Sequence, residues 1–135
     1  MKAYERLLNY VKIDTPSDPE SGKMPSSDCQ FELANLLVEE LKALGIENAS
    51  VDEKCYVYAW IPATEGYENC KALGFIAHMD TSPAVTGENV KPKRVVNYDG
   101  KNVLLNGEKD IWLTTEDFPE LLELTGQDLI VTDGT

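Results

Sequence analysis

The chain has 135 residues, 42% of them hydrophobic, which is the size of one small domain with apolar material for a core. Twelve Lys and Arg against 24 Asp and Glu give a formal net charge of −12. Such a field repels nucleic acid and anionic lipid, and it leaves small molecules and metal cations as the expected partners.

The start, MKAYERLLNYVKID, places Tyr4, Leu7, Leu8 and Val11 at helical spacing and predicts a first helix over residues 2–13. Its acids and its amphipathic pattern are unlike a signal peptide, and no apolar run approaches the roughly 18 residues of a membrane helix. A cytoplasmic location is expected. TPSDPESGKMPSS reads as an irregular loop. Ser27 then opens a second helix, with Gln30 at capping-box spacing, Leu33, Leu37, Leu41 and Leu44 along one face, and Gly45 as its stop.

Beyond Gly45 the apolar period shortens. ASVDE and CYVYAWIPA predict two strands around Glu53-Lys54, EGYEN a turn, and ALGFIAHM a third strand. The continuous apolar run of that third strand suits a central position covered on both faces. Asp99-Gly100 lies between two β-rich runs and predicts a β-hairpin, and a second turn at Asn106-Gly107 leads to DIWLT. TTEDFPELLELTG predicts a short helix with Thr114 or Thr115 as cap, Pro119 in its first turns and Gly126 after it; DLIVTDGT predicts a last buried strand. Two helices packed on such strands indicate an α/β layer protein. Cys29, Cys55 and Cys70 are odd in number and far apart, so neither a zinc ribbon nor a disulfide framework is indicated, and reduced thiols are expected.

His78 is the only histidine, and Asp80 follows it by two residues. Along an extended chain, residues two apart share a face, so imidazole and carboxylate can touch. Ligands in open α/β sheets gather at the carboxyl ends of strands. A carboxylate beside a metal-bound imidazole fixes its tautomer and raises its basicity. The same pair also serves as a plain hydrogen bond at a strand end. No second histidine completes a site, and the acids at Asp14, Asp18 and Glu20 or at Glu116, Asp117, Glu120 and Glu123 read as a turn-rich loop and a solvated helix face. The serines and threonines have no base to activate them, and the glycines form neither a dinucleotide fingerprint nor a P-loop.

GFIAHMDTSPAVTGENVKP resembles the corresponding stretch of the zinc-dependent aminoacylase/carboxypeptidase metallopeptidase family, whose members share apolar-His-x-Asp-Thr-x-Pro. YERLLNYVKIDTPSD, YVYAWIPAT, the continuation SPAVTGENVKP and the closing DLIVTDGT are similar, in order, to its tripeptide-aminopeptidase branch, so the resemblance covers essentially the whole chain. Ala84 departs from it, standing where that branch often carries an acid, which bears on substrate contacts and not on the His78–Asp80 pair.

The resemblance implies that His78 is a ligand of one of two zinc ions and that Asp80 is the catalytic carboxylate holding its imidazole. It implies that residues 1–135 are the N-terminal part of an α/β catalytic domain, with a mixed sheet and flanking helices. A bridging aspartate, a glutamate general base, the other ligands and a separate lid or dimerisation domain would lie beyond Thr135. The implied activity of the whole protein is that of a cytosolic aminopeptidase acting on tripeptides, with a homodimer as the implied assembly, and the 135 residues alone are expected to be inactive. A deacylase, dipeptidase or carboxypeptidase of the same family, and a non-enzymatic binding or structural chain, are the alternatives.

Overall fold

The computed structural model describes residues 1–134. It divides into two compact units, Thr15–Ala84 and Met1–Asp14 with Val85–Thr135. The architecture is α/β, with helices and short antiparallel two-stranded sheets in place of the single mixed sheet expected.

In the unit Thr15–Ala84 the helix is α2 (Gln30–Ala43), numbered after α1 (Ala3–Tyr10) of the other unit. Leu33 and Ala34 on its inner face are buried, and the helix packs on strands β1 (Ser50–Val51) and β2 (Val57–Tyr58). Its end follows the expectation for Gly45. That residue takes φ +91°, its N–H donates to the Lys42 carbonyl at 2.9 Å, and the Ile46 N–H donates to the Leu41 carbonyl at 3.0 Å. This pair of bonds is a Schellman closure, which satisfies carbonyls that the last turn leaves free.

The start of α2 differs from the expectation. Cys29 precedes the helix without a side-chain cap, and the Gln30 amide reaches instead to the Pro16 carbonyl at 3.0 Å. A capping glutamine must turn its side-chain oxygen back to its own helix start, and here the side chain is turned to the loop, where the half-buried Pro16 carbonyl accepts from its Nε2–H.

β1 and β2 pair antiparallel around Glu53-Lys54 as expected, with Ser50 opposite Tyr58 and Val51 opposite Val57. The ladder is short because an Asn48 side chain replaces its next rung: Asn48 Oδ1 accepts from the Trp60 N–H and Asn48 Nδ2 donates to the Trp60 carbonyl, both at 2.8 Å. The third, central strand expected over ALGFIAHM is not formed. Residues 71–80 carry no regular structure, and Phe75 and Ile76 are 90% and 102% exposed. An apolar run becomes a strand only where a neighbouring backbone offers it a ladder, and among the described residues no strand pairs with it.

In the other unit, α1 begins where the Glu5 carboxylate accepts the Lys2 N–H at 2.6 Å. Strand β3 (Lys93–Val95) pairs antiparallel with β6 (Leu129–Val131), Arg94 opposite Ile130. Strand β4 (Val103–Asn106) pairs antiparallel with β5 (Ile111–Leu113), with a bulge between Leu104 and Asn106. The hairpin expected around Asp99-Gly100 is therefore corrected: the runs on either side of it lie in different sheets, and the hairpin turn is the one at Asn106-Gly107.

The reason lies in Asn97 and Tyr98. Asn97 takes φ +49° and ends the ladder before the turn. Tyr98 is 2% exposed and exchanges backbone hydrogen bonds with residues leading into β6, its N–H to the Gln127 carbonyl and its carbonyl from the Gly126 N–H, both at 2.8 Å. The short helix expected after Thr114 forms as a 3-10 helix, Pro119–Leu124, burying Leu121. Thr114 acts ahead of it, its hydroxyl oxygen accepting the Asp117 N–H at 3.1 Å.

Candidate functional site

His78 and Asp80 do come together. Nδ1 of His78 stands 2.9 Å from the Asp80 carbonyl oxygen and 3.2 Å from its carboxylate Oδ1. Both acceptors lie on the Nδ1 side of the ring, which favours the tautomer with its proton on Nδ1 and the lone pair on Nε2. The His78 side chain is 86% exposed, so Nε2 is open to a ligand. His78 is not at the end of a strand, as expected, but three residues ahead of an isolated parallel bridge between Pro16 and Thr81.

That bridge is what holds the His-x-Asp segment. The Thr81 N–H donates to the Thr15 carbonyl at 2.8 Å, and the Ser17 N–H donates to the Thr81 carbonyl at 2.9 Å. Pro16 sits between these two rungs, at the position of a parallel bridge that needs no N–H. The Thr15 hydroxyl adds a bond to the Met79 carbonyl at 3.0 Å, and the Ser17 hydroxyl one to the Thr81 carbonyl at 3.1 Å.

Sequence reasoning placed residues 15–17 in an irregular loop and missed this partnership. The only local signal was Thr-Pro-Ser, which suits a bridge around a proline but equally suits a turn. Gln30, placed in a capping box, instead braces Pro16 from the helix.

The donor set fits one part of a metal centre. One imidazole with a free Nε2 and a carboxylate at Nδ1 make a single ligand and the group that orients it. Among the described residues no three His, Cys, Asp or Glu side chains gather closely enough to hold an ion. The acidic loop is engaged locally, Asp18 Oδ1 accepting the Glu20 N–H at 3.0 Å. Cys29, Cys55 and Cys70 are free thiols, and burial, with the nearby Asp52 charge, pushes the Cys55 thiol pKa up, away from the thiolate a metal would need.

Comparison with known proteins finds relatives along almost the whole chain. It is 54% identical to peptidase T of Alkaliphilus oremlandii over 97% of its length, and 52% identical to peptidase T of Clostridium acetobutylicum over 96%. By sequence, the chain is similar to peptidase T along almost all of its own length. Peptidase T of Geobacillus thermodenitrificans is 50% identical over 97% of the chain. In each case the match takes up 32% of the relative, so the chain spans about a third of the length of these peptidase T relatives. No family model matches the chain. Among the described residues no helix is long and apolar enough to cross a membrane.

Proposed function

We propose that the chain belongs to a cytoplasmic, zinc-dependent aminopeptidase that releases the N-terminal residue of tripeptides, with His78 as a ligand of one of two zinc ions and Asp80 as the carboxylate that orients it. The observation that carries this reading is the identity with peptidase T along almost the whole chain, joined to a His78 ring whose Nδ1 is occupied and whose Nε2 is open. When bound, a zinc pair polarises the scissile carbonyl and lowers the pKa of a water molecule.

The contributions of this chain are geometric. Asp80 accepts a hydrogen bond from Nδ1–H, which holds the proton on Nδ1, leaves Nε2 unprotonated and fixes the ring plane. The bridge at Thr81 anchors the backbone on which both side chains stand. The remaining ligands and the general base would come from the two-thirds of a full-length peptidase T that this chain does not span, and the same residues would supply backbone partners for 71–77. Acidic groups would hold the free amino terminus of the peptide, and a homodimer is the assembly expected of the whole protein. On this reading the 135 residues alone are inactive and bind zinc only as an isolated His–carboxylate pair does.

The test is Asp80→Asn in a protein of full peptidase T length carrying this sequence. The amide retains shape but polarises the ring less and can present the wrong group. Zinc affinity or tripeptide turnover should fall about 10–100-fold, while the melting temperature of the zinc-free protein stays close to wild type. Unchanged turnover would reduce Asp80 to a local hydrogen bond, and a preference for N-acyl amino acids over tripeptides would move the protein to a deacylase.

A further inference from the structure

We propose that Thr15 is a positioning residue for the His78–Asp80 pair, braced by Gln30; its link to zinc rests on the function proposed above. Thr15 is 2% exposed, and two of its groups face the His-x-Asp-Thr segment. Its hydroxyl donates to the Met79 carbonyl at 3.0 Å, and its carbonyl accepts the Thr81 N–H at 2.8 Å. The two bonds grip the backbone on both sides of Asp80.

This grip matters because it adds to the two Ser17 bonds at the Thr81 carbonyl on a segment that has no ladder of its own. Residues 71–80 have no strand ladder, and the His78 side chain lies 86% in solvent. The ring takes its direction from Asp80, through both the Asp80 carbonyl and its carboxylate. Asp80 in turn takes its direction from a peptide unit fixed at Met79 and Thr81. A rotation there would turn the carbonyl and the carboxylate together, and the imidazole with them.

Thr15 is itself fixed from the helix. Gln30, 8% exposed in the first turn of α2, donates through Nε2 to the Pro16 carbonyl at 3.0 Å and to Ser26 Oγ at 3.3 Å. Order thus passes from a rigid helix to a buried loop, and from the loop to the exposed pair. A misplacement of about 1 Å at a reacting group can cost about 100-fold in rate, so such a support has functional weight.

The test uses the full-length protein with Thr15→Val, which keeps the branched shape and removes the hydroxyl, and Thr15→Ser, which restores it. In the zinc-free protein, Thr15→Val should raise hydrogen exchange at the Thr81 amide about tenfold, the scale of one lost hydrogen bond, with exchange in the centre of α2 unchanged. Zinc affinity of the folded protein should fall about tenfold or more, and Thr15→Ser should recover most of both losses. Should Thr15→Val fail to fold, Gln30→Met carries the test, with the same direction and a smaller size.

Normal zinc affinity and normal Thr81 exchange in a folded Thr15→Val protein would overturn the proposal, and so would a loss that serine does not recover. His78→Ala separates the two layers. If it leaves zinc affinity intact, the metal-site reading fails, whereas a loss with His78→Ala and none with Thr15→Val defeats the positioning role alone.

Discussion

At the scale of single residues, Asp128 is a charge held at both of its carboxylate oxygens. Arg94 donates to its Oδ2 through Nε at 3.0 Å and through a terminal nitrogen, and the Asn97 N–H donates to Oδ1 at 2.8 Å. The guanidinium also lies 4.6 Å from the Tyr4 ring centroid and donates to the Tyr4 hydroxyl at 2.9 Å, tying α1 to β3. The Arg94 hydrogen bond first, then the Asn97 N–H, holds the Asp128 carboxyl below its ordinary range. A pKa lowered by folding stabilises the fold above the unfolded value of about 3.9, and that contribution is lost as pH falls through the folded value. Asp128→Asn should therefore lower the melting temperature modestly at pH 7, less so in high salt, since the pair is solvent-facing. The gap to wild type should narrow progressively below about pH 3.9, as followed by circular dichroism. A gap of equal size at pH 7 and in strong acid would show that the charge is not what stabilises.

At the scale of elements, the turn at Asp99-Gly100 shows how local chemistry and pairing separate. Asp99 Oδ1 accepts the Lys101 N–H at 3.1 Å and Gly100 takes φ +79°, so a turn does form at the expected place. The strands beside it nevertheless find other partners. Gly100 is doubly constrained, because a Cβ there would stand 2.8 Å from Thr125 Oγ1 as well as straining the backbone. Gly126, at φ +86°, has open space around it. Gly100→Ala should cost about 1–3 kcal/mol, and Gly126→Ala less, since only the strain applies. Urea denaturation of the two variants measures the order, and the reverse order would mean that Thr125 yields freely.

At the scale of the molecule, two opposed features govern solution behaviour. Trp60, Ile61, Leu73, Phe75 and Ile76 are all more than half exposed within one unit, and adjacent apolar side chains of this size drive association. The net charge of −12 opposes it. The 135-residue chain should therefore self-associate, and more strongly in salt, because the screening length falls from about 10 Å at 0.1 M to about 3 Å at 1 M. Light scattering across salt and protein concentration checks this, and a monomer at every salt concentration would count against it. Phe75→Ser with Ile76→Ser should shift the chain toward monomer.

Periodicity along the chain was enough to place α1, α2, the β1–β2 pair and the Gly45 stop, since each depends on residues within a few positions of one another. The contact between His78 and Asp80 was legible for the same reason. A spacing of two brings the side chains together without help from the rest of the fold, and the motif around them carried the family resemblance. Pairing between distant segments was not legible. β3 joins β6 across more than thirty residues because Asn97 breaks the nearer ladder and Tyr98 is buried against the approach to β6. Nothing local in the Asp99-Gly100 signal reports either event. The apolar run before His78 reads as a central strand, but a ladder needs a second backbone, and hydrophobicity alone does not supply one. Thr15 and Gln30 belong to the tertiary structure as well. Their worth comes from carbonyls that lie 64 and 14 residues away along the chain, and only the folded arrangement brings those groups within hydrogen-bonding distance.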